Sequence, residues 1–332
     1  MQFTLAFAAW GETAVDYYNR GVANSANGDT DGAIANYTKA LELKPDYPEA
    51  RNNRGAVKQA VGDLDGAIAD YTKAIELKPE YAEARNNRGA ARQAKGDLDG
   101  AIADYSKAIE LRPGNAGAFY NRGAARQVKG DLDGAIADYT EALKLKPVDA
   151  GAYFNRGAAR QAKGDWDGAI ADLTEAVELK PDDAEAYCSR GVARQAKANW
   201  DGAIADYTKT IELKPDSAEA YNLRGTADLA KGEVGNAIVD GTKAVTLNPH
   251  DANSYINLGL AKQEKGDWIG AMAAYTKAIQ LKPDDARAYY NRGLVRKAKG
   301  DPEGARGDYN EALTLKPGFA EARKALAELN SK

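Results

Sequence analysis

The chain is poor in the residues that bind metals or carry covalent chemistry. It has one cysteine, Cys188, and one histidine, His250, among 332 residues. A single cysteine cannot form a disulfide within the chain, and an isolated histidine cannot build a zinc site or a nucleophile relay. The glycine-rich phosphate loop and the dinucleotide fingerprint are also missing. We therefore expect no metal, no cofactor and no enzymatic activity.

The chain also lacks an excess of positive charge and a long apolar run. Lysine and arginine number 45 against 49 aspartate and glutamate residues, which gives a net charge of −4 and a pI near 5.4. This balance disfavours a nucleic-acid surface. Because a membrane-spanning helix needs about 20 consecutive apolar residues, we expect no membrane span either.

What the sequence has in abundance is repetition. Proline recurs every 34 residues from Pro45 to Pro317, with no insertion. A fixed period of this length is typical of a solenoid of stacked supersecondary units. A first repeat that begins at Ala14 gives a head, 1–13, a tail, 320–332, and nine full repeats: 14–47, 48–81, 82–115, 116–149, 150–183, 184–217, 218–251, 252–285 and 286–319.

Four positions never vary when each repeat is numbered from 1 to 34. Position 8 is glycine, position 20 alanine, position 30 leucine and position 32 proline. Small residues at 8 and 20 allow two helices to approach closely, and we expect the leucine at 30 to fill the layer behind them. Gly-Asp pairs such as Gly96-Asp97 end one apolar-periodic stretch and begin another. Each repeat is therefore predicted to be a helix, a tight turn and a second helix.

This pattern resembles the tetratricopeptide repeat family. The resemblance is carried by segments such as Ala82-Glu-Ala-Arg-Asn-Asn-Arg-Gly89 and Gly96-Asp-Leu-Asp-Gly-Ala-Ile-Ala-Asp-Tyr105, and it covers 14–319. It implies an all-α, right-handed superhelical solenoid whose first helices line a concave groove that binds proteins or peptides. The tail, 320–332, repeats the start of a first helix and is expected to cap the last repeat.

Arginine at position 7 varies together with aspartate at position 23. Eight repeats carry the arginine, and seven of these carry the aspartate, as in Arg88 and Asp104; the first has Asn36. The repeat that lacks the arginine has Leu258 at position 7 and Ala274 at position 23. Because both partners are lost together, we predict a bidentate, partly buried ion pair between the two helices of each repeat.

Asparagine at position 6 is the strongest candidate for a binding surface. On a 3.6-residue period, positions 2, 5, 6, 9, 12 and 13 lie opposite positions 4, 8 and 11, which we expect to be packed. A side-chain amide offers a donor and an acceptor that match a peptide bond of any sequence. The row is similar to the asparagine ladder in the tetratricopeptide repeats of O-GlcNAc transferase; it comprises Asn19, Asn53, Asn87, Asn121, Asn155, Asn257 and Asn291.

The ladder has a second interpretation, in which it only reflects repeat duplication. Position 12 adds glutamines such as Gln93 to the same predicted face, and position 9 beside it is small, as in Ala90. If the ladder binds a peptide backbone, selectivity would come from the variable position 5. The candidate residues there, with one more from position 6, are Tyr18, Tyr120, Phe154, Ile256, Tyr290 and Leu223.

The seventh repeat departs from the others, and one family binding mode is disfavoured. Gly241 stands where the other repeats have a large residue, and its loss of a ring should leave space. The family's mode of holding a C-terminal carboxylate needs lysine at position 5 and asparagine at position 9. No repeat has either residue there.

The sequence predicts a non-enzymatic scaffold that holds an extended peptide in the groove. The alternative is a structural protein that assembles end to end, with the apolar residues 1–10 docked on a neighbouring copy. Ala6-Phe7-Ala8 resembles the end of an export signal, although it lacks a positive start, and it equally fits an extra cap on the first helix pair. A cytoplasmic and an exported location both stay open.

Overall fold

The structure is a computed structural model that describes residues 12–330. These residues form two compact units that divide between Lys163 and Gly164. The described part of the first unit consists of α1 (Ala14–Ala26), α2 (Thr30–Leu43), α3 (Pro48–Ala60), α4 (Leu64–Leu77), α5 (Ala82–Ala94), α6 (Leu98–Leu111), α7 (Ala116–Lys129), α8 (Leu132–Leu145) and α9 (Ala150–Ala162).

The second unit is built in the same way. Its helices within the described residues are α10 (Trp166–Leu179), α11 (Ala184–Ala196), α12 (Trp200–Leu213), α13 (Ala218–Lys231), α14 (Val234–Leu247), α15 (Ala252–Glu264), α16 (Trp268–Leu281), α17 (Ala286–Ala298), α18 (Pro302–Leu315) and α19 (Ala320–Asn330). In both units the helices alternate as the first and second helices of the predicted repeats. The predicted all-α helix-turn-helix repeat is confirmed.

The turn inside most repeats is fixed by a glycine and an aspartate. Gly96 has φ +83°, a left-handed conformation that glycine adopts at little cost. Asp97 then caps α6, because its Oδ1 accepts a hydrogen bond from the backbone N–H of Gly100 at 2.9 Å. The sixth repeat has Ala198 at the glycine position with φ 56°. A left-handed alanine costs about 1–2 kcal/mol, so this turn is strained.

Glycine at position 8 gives room to an aromatic ring at position 24. Tyr105 is 1% exposed, and a Cβ added at Gly89 would lie 2.8 Å from its Cε1 atom. Alanine at position 20, such as Ala101, is fully buried beside the ring. The predicted close approach of the two helices through small residues is confirmed.

Two predictions about the core are wrong in detail. The packed face of the first helix is formed by positions 3, 8 and 10, such as Ala84, Gly89 and Ala91, and not by 4, 8 and 11. Position 11 is mostly charged, and side chains such as Arg92 reach over the helix to the position-23 aspartate instead of packing in an apolar layer. The leucine at position 30 does not fill an inner layer: Leu43 is 51% and Leu145 44% exposed, because each is the last residue of its second helix.

The C-terminal helix α19 covers the last repeat through two small residues. Ala322 and Ala325 are buried against α18 and its neighbours, while Glu321 is exposed. The apolar segment 1–10, which was predicted to be a cap, a signal remnant or an assembly contact, lies outside the described residues. End-to-end assembly therefore stays a prediction.

Candidate functional site

The position-7 arginine donates two hydrogen bonds to the aspartate of its own repeat. Arg88 donates from Nε to Asp104 Oδ2 at 2.8 Å and from Nη2 to Oδ1 at 2.6 Å, and Asp104 is 3% exposed. The predicted bidentate pair is confirmed in this repeat and in five others: Arg54–Asp70, Arg122–Asp138, Arg190–Asp206, Arg224–Asp240 and Arg292–Asp308.

The first and eighth repeats differ, each for a visible reason. Asn36 stands in place of the aspartate in the first repeat, and Arg20 pairs with Glu12 instead. In the eighth repeat Leu258 and Ala274 are both buried, at 5% and 6% exposure. Two buried apolar residues thus stand in place of the ion pair there.

The same arginines also bind the preceding repeat, which sequence reasoning missed. Nη1 of Arg88 donates to Thr72 Oγ1 at 3.1 Å. A threonine or serine at position 25 plays this part for Arg54, Arg122, Arg156, Arg190, Arg224 and Arg292. The recurring hydroxyl at position 25 was the signal that could have revealed it. Each arginine therefore links two repeats as well as two helices.

A second cation at position 11 completes the aspartate's surroundings. Nη1 of Arg92 donates to Asp104 Oδ2 at 2.8 Å, and Lys58 Nζ lies 2.8 Å from Asp70 Oδ2. Burial is the largest influence on Asp70 and acts to raise its pKa, but hydrogen bonds from Arg54 and Lys58 outweigh it and leave the pKa lowered. These charged groups therefore serve the fold.

Five ladder asparagines donate a hydrogen bond to a residue of the preceding repeat. Nδ2 of Asn87 donates to Asn52 Oδ1 at 3.1 Å, so position 6 bonds position 5 of the preceding repeat. The same bond joins Asn53 to Tyr18, Asn121 to Asn86, Asn155 to Tyr120 and Asn257 to Asn222, at 2.7–3.2 Å. Asn53, Asn87, Asn121 and Asn155 each use one N–H inside the fold, whereas Asn257 also donates to Thr226 Oγ1 at 3.3 Å.

The residue at position 5 decides whether this bond can form. Ile256 stands at position 5 of the repeat before Asn291 and has no acceptor. The Asn291 side chain makes no hydrogen bond within residues 12–330. Asn19 has no preceding repeat and is exposed. Where position 5 is Cys188, the next position 6 is Leu223. Apart from Asn19 and Asn291, position 6 holds asparagine only where position 5 of the preceding repeat carries an oxygen acceptor, a signal that was present in the sequence.

The position-12 glutamines hold the buried tyrosines. Tyr105 Oη donates to Gln93 Oε1 at 3.0 Å, and four other Tyr–Gln pairs repeat the contact. In the ninth repeat position 12 is Lys297, and Tyr309 Oη is the one buried side-chain polar atom without a hydrogen bond in the described part of the chain. The glutamines were predicted to line the groove, but their acceptor oxygens belong to the core.

The predicted selectivity residues are half-buried between repeats, with one exception. Ile256 is 3% exposed in the core of the eighth repeat, so its prediction as a groove contact is wrong. The others lie against buried rings or small residues: Tyr18 on Tyr37, Tyr120 on Tyr139, Tyr290 on Tyr309, and Leu223 on the cluster around Tyr207. Phe154 is partly exposed.

Cys188 also contacts the cluster around Tyr207. Burial, and then the nearby Glu219 and Glu185, raise the pKa of its thiol to about 11. A thiol with such a pKa stays protonated at neutral pH and is a poor nucleophile. Cys188 is therefore a tolerated replacement at position 5.

Tyr120 borders a surface pocket of about 300 Å³. Gly117 lies in its wall, where the second and third repeats carry Glu49 and Glu83, and Lys146 and Asp149 lie at its other side. The pocket is the size of the smallest ligand sites in proteins. It can accept one side chain beside the ladder.

The missing ring of the seventh repeat leaves a small cavity, as predicted. Gly225 and Gly241 face a space of about 40 Å³. The rest of the ring's volume is taken by Leu258, whose Cβ would lie 3.3 Å from a Cβ added at Gly241. The leucine that replaces the eighth arginine therefore compensates the lost ring one repeat earlier.

Within residues 12–330, no cluster of three or more potential ligands could hold a metal ion. None of the helices described there is long and apolar enough to cross a membrane.

Comparison with known proteins identifies the repeat. A TPR repeat model matches 25–62, 60–96, 92–127, 128–164, 160–197 and 261–300, and two tetratricopeptide repeat models match 188–252 and 286–319. No curated protein sequence matches the chain.

Solved structures with TM-scores above 0.5 share the fold. A tetratricopeptide repeat protein from Parabacteroides merdae is 22% identical over 76% of this chain and 99% of its own, with a TM-score of 0.57. The APC/C hetero-tetramer Cut9-Hcn1 is 17% identical over 98% of this chain and 78% of its own, with a TM-score of 0.56. MamA is 31% identical over 52% and 94%, with a TM-score of 0.47. The chain belongs to the tetratricopeptide repeat family.

Proposed function

We propose that this chain is a non-enzymatic scaffold that holds an extended segment of a partner protein along the first helices of its first unit. In that unit α1, α3, α5, α7 and α9 contact one another in sequence. Their asparagines Asn53, Asn87, Asn121 and Asn155 lie one repeat apart and are only partly buried. The first-helix surface, defined by positions 2, 6 and 9 of these helices, therefore carries a regular row of amides.

The observation that carries the proposal is the half-satisfied state of these amides. Oδ1 of Asn87, Asn121 and Asn155 accepts no hydrogen bond from any residue within 12–330, and each Nδ2 keeps a second N–H. A donor and an acceptor on one planar group match a peptide bond. The internal bond fixes each amide before a ligand arrives, which lowers the entropy lost on binding.

The pocket beside Tyr120 supplies a place for selectivity. It lies in the fourth repeat, and the Tyr120 hydroxyl itself accepts the hydrogen bond of Asn155. A ligand backbone bound at Asn155 would run beside this pocket, with one side chain within reach of it. Sequence preference would thus act at one site of an otherwise tolerant surface.

Magnitudes predict weak binding. Three or four amide contacts contribute about 0.5–1.5 kcal/mol each, and ordering a flexible peptide opposes them by about 2–5 kcal/mol. Backbone contacts alone therefore give dissociation constants between about micromolar and millimolar. The pocket at Tyr120 would have to provide any tighter binding.

The test is a selection of peptides from a random library on the intact protein, followed by measurement of Kd by fluorescence polarisation. The double variant Ala90→Arg/Ala124→Arg covers the first-helix surface and leaves every asparagine in place. Ala103→Arg/Ala137→Arg adds the same charge at exposed positions of α6 and α8 and is the matched control. We expect the first variant to weaken binding at least about tenfold and the control to bind normally.

Recognition of the backbone is tested with N-methylated copies of the selected peptides. Loss of a backbone N–H should weaken binding wherever it faces an asparagine Oδ1. Binding that survives both the first double variant and N-methylation would place the ligand elsewhere and refute the proposal.

A further inference from the structure

The seventh repeat reverses the charge at position 11. Asp228 stands where the sixth repeat has Arg194, and it is 5% exposed. The group Arg190, Arg194 and Asp206 carries a net charge of +1 in the sixth repeat. The corresponding group Arg224, Asp228 and Asp240 carries −1 when both carboxylates are ionised.

The hydrogen bonds of the two repeats show which contact is missing. Nη1 of Arg194 donates to Asp206 Oδ2 at 2.8 Å and to the Gly202 carbonyl at 3.3 Å. In the seventh repeat Asp240 keeps only the two bonds from Arg224, at 2.6 and 2.9 Å. Within residues 12–330 the Asp228 carboxylate receives no hydrogen bond at all. The residue as a whole is largely buried, but its oxygens reach solvent and have no donor from the described chain, so a cationic donor would be favourable there.

A cavity opens where the guanidinium would be. It has a volume of about 260 Å³, and its polar lining consists of Asp228, Asp240, Asn236, Thr208 and Arg224. Ile204 and Val239 flank it, and Val239 is 68% exposed. The corresponding side chain in the sixth repeat, Arg194, is 22% exposed, so this position can be reached from solvent.

We propose that this cavity binds a guanidinium group, the side chain of an arginine on a partner protein, in the position that Arg194 fills one repeat earlier. The head group would bond Asp240 Oδ2 and the Asp228 carboxylate, which together supply planar, bidentate acceptors. The methylene stem would lie along Ile204 and Val239. One positive charge neutralises the site.

Other cations fit less well. A metal ion needs more ligands than two carboxylates, and no three-ligand cluster exists within residues 12–330. An ammonium group can bond the position-23 aspartate, as Lys58 does in the second repeat, but it lacks the rigid planar fork that matches two carboxylates at once. The cavity is also too small for a large ligand, since pockets for such molecules start at about 300 Å³.

The site is independent of the proposed peptide surface. It is lined by α12, α13 and α14 of the second unit, whereas the peptide surface belongs to first helices of the first unit. Failure of one proposal therefore leaves the other standing.

The test is a titration of N-acetyl-arginine amide into the isotope-labelled full-length protein at about pH 7.5, followed by NMR. At that pH Asp228 is ionised, although burial and then Asp240 raise its pKa to about 6. We expect saturable shifts confined to residues 200–240. N-acetyl-lysine amide should bind at least about tenfold more weakly. Free L-arginine is titrated as well, because it carries charged amino and carboxyl groups that an arginine within a peptide lacks. Tighter binding of free L-arginine than of N-acetyl-arginine amide would indicate a metabolite instead of a partner protein.

Two variants decide the outcome. Asp228→Arg supplies the missing guanidinium from the chain itself and should abolish the shifts. Asp228→Asn keeps the shape, removes a charge and should weaken binding at least about tenfold. At about pH 4.5 binding should fall in the wild type as Asp228 becomes protonated; Asp240, Arg224, Glu233 and Lys231 are the other charged groups that face it. Unsaturated shifts at about 10 mM, or shifts that persist in Asp228→Arg, would overturn the proposal.

Discussion

The side-chain nitrogen of Asn87 lies 3.1 Å from the side-chain oxygen of Asn52, one repeat earlier in the chain. Asn52 is 1% exposed, so this bond satisfies a buried acceptor. The asparagine ladder is thus part of the inter-repeat contact as well as a candidate binding surface. Its two roles can be separated by experiment.

We expect Asn87→Ala to lower the free energy of unfolding by about 1–3 kcal/mol, because it leaves the Asn52 oxygen buried without a donor. Asn291→Ala is the matched control, since Asn291 follows Ile256 and has no such bond. Urea denaturation followed by circular dichroism measures both. Equal losses in the two variants would contradict an inter-repeat role.

Asp104→Ala should be the more damaging substitution. It leaves Arg88, 12% exposed, and Arg92 without their common partner, and removal of one member of a buried pair costs up to about 3–5 kcal/mol. Asp99 has the same charge but is 80% exposed. Asp99→Ala should therefore change the urea midpoint little. A small effect of Asp104→Ala would mean that water solvates the arginines freely.

Gly89→Ala should destabilise the fold, because the new Cβ would lie 2.8 Å from the Tyr105 ring. Overpacking of this kind costs about 1–3 kcal/mol. Gly225 stands at the same repeat position but faces Gly241 instead of a ring. A Cβ added at Gly225 would have a backbone oxygen at 3.3 Å as its nearest neighbour. Gly225→Ala should be nearly neutral, because alanine's helix propensity offsets the tight contact. Thermal unfolding of both variants checks the difference.

Ala198→Gly should raise stability by about 1 kcal/mol, because it removes a left-handed alanine at φ 56°. The reverse change, Gly232→Ala at φ +84°, should lower it by a similar amount. If both substitutions shift the melting temperature in the same direction, backbone strain is not the cause.

Asp228 predicts a pH dependence of stability. Its pKa is raised to about 6, chiefly by burial, so between about pH 4 and 6 the folded chain holds a proton that the unfolded chain has lost. Its contribution therefore favours folding at low pH and is lost as the pH rises from about 4 through 6. Asp228→Asn should flatten this part of the urea midpoint profile. An unchanged profile would show that Asp228 titrates normally.

The helix pairs were predictable because the 34-residue period, the Gly-Asp turn and the small residues at fixed positions all indicate the same unit. The Arg–Asp pair was predictable from one exception, Leu258 with Ala274. In each case a local pattern and its physical cause lie within a single repeat.

Contacts between repeats were harder to predict. Arg88 bonds Thr72, and Asn87 bonds Asn52, across the boundary between two repeats. The pattern within a single repeat contains only one partner of each bond. The packed face was assigned to the wrong positions, because the long charged side chain of Arg92 was taken for a core residue when it reaches over the helix to Asp104. Helical periodicity gives a face, but the direction of a side chain sets its partner.

Leu258 breaks the series of arginines that link each repeat to its predecessor, and it contacts Gly241 through apolar atoms instead. Apolar contact weakens on cooling, whereas hydrogen-bonded ion pairs do not follow the same temperature dependence. In a repeat protein each interface contributes its own share to the cooperativity of unfolding. We therefore expect the junction of the seventh and eighth repeats to be the first to separate near 0 °C, which would make this scaffold cold-labile at one defined place.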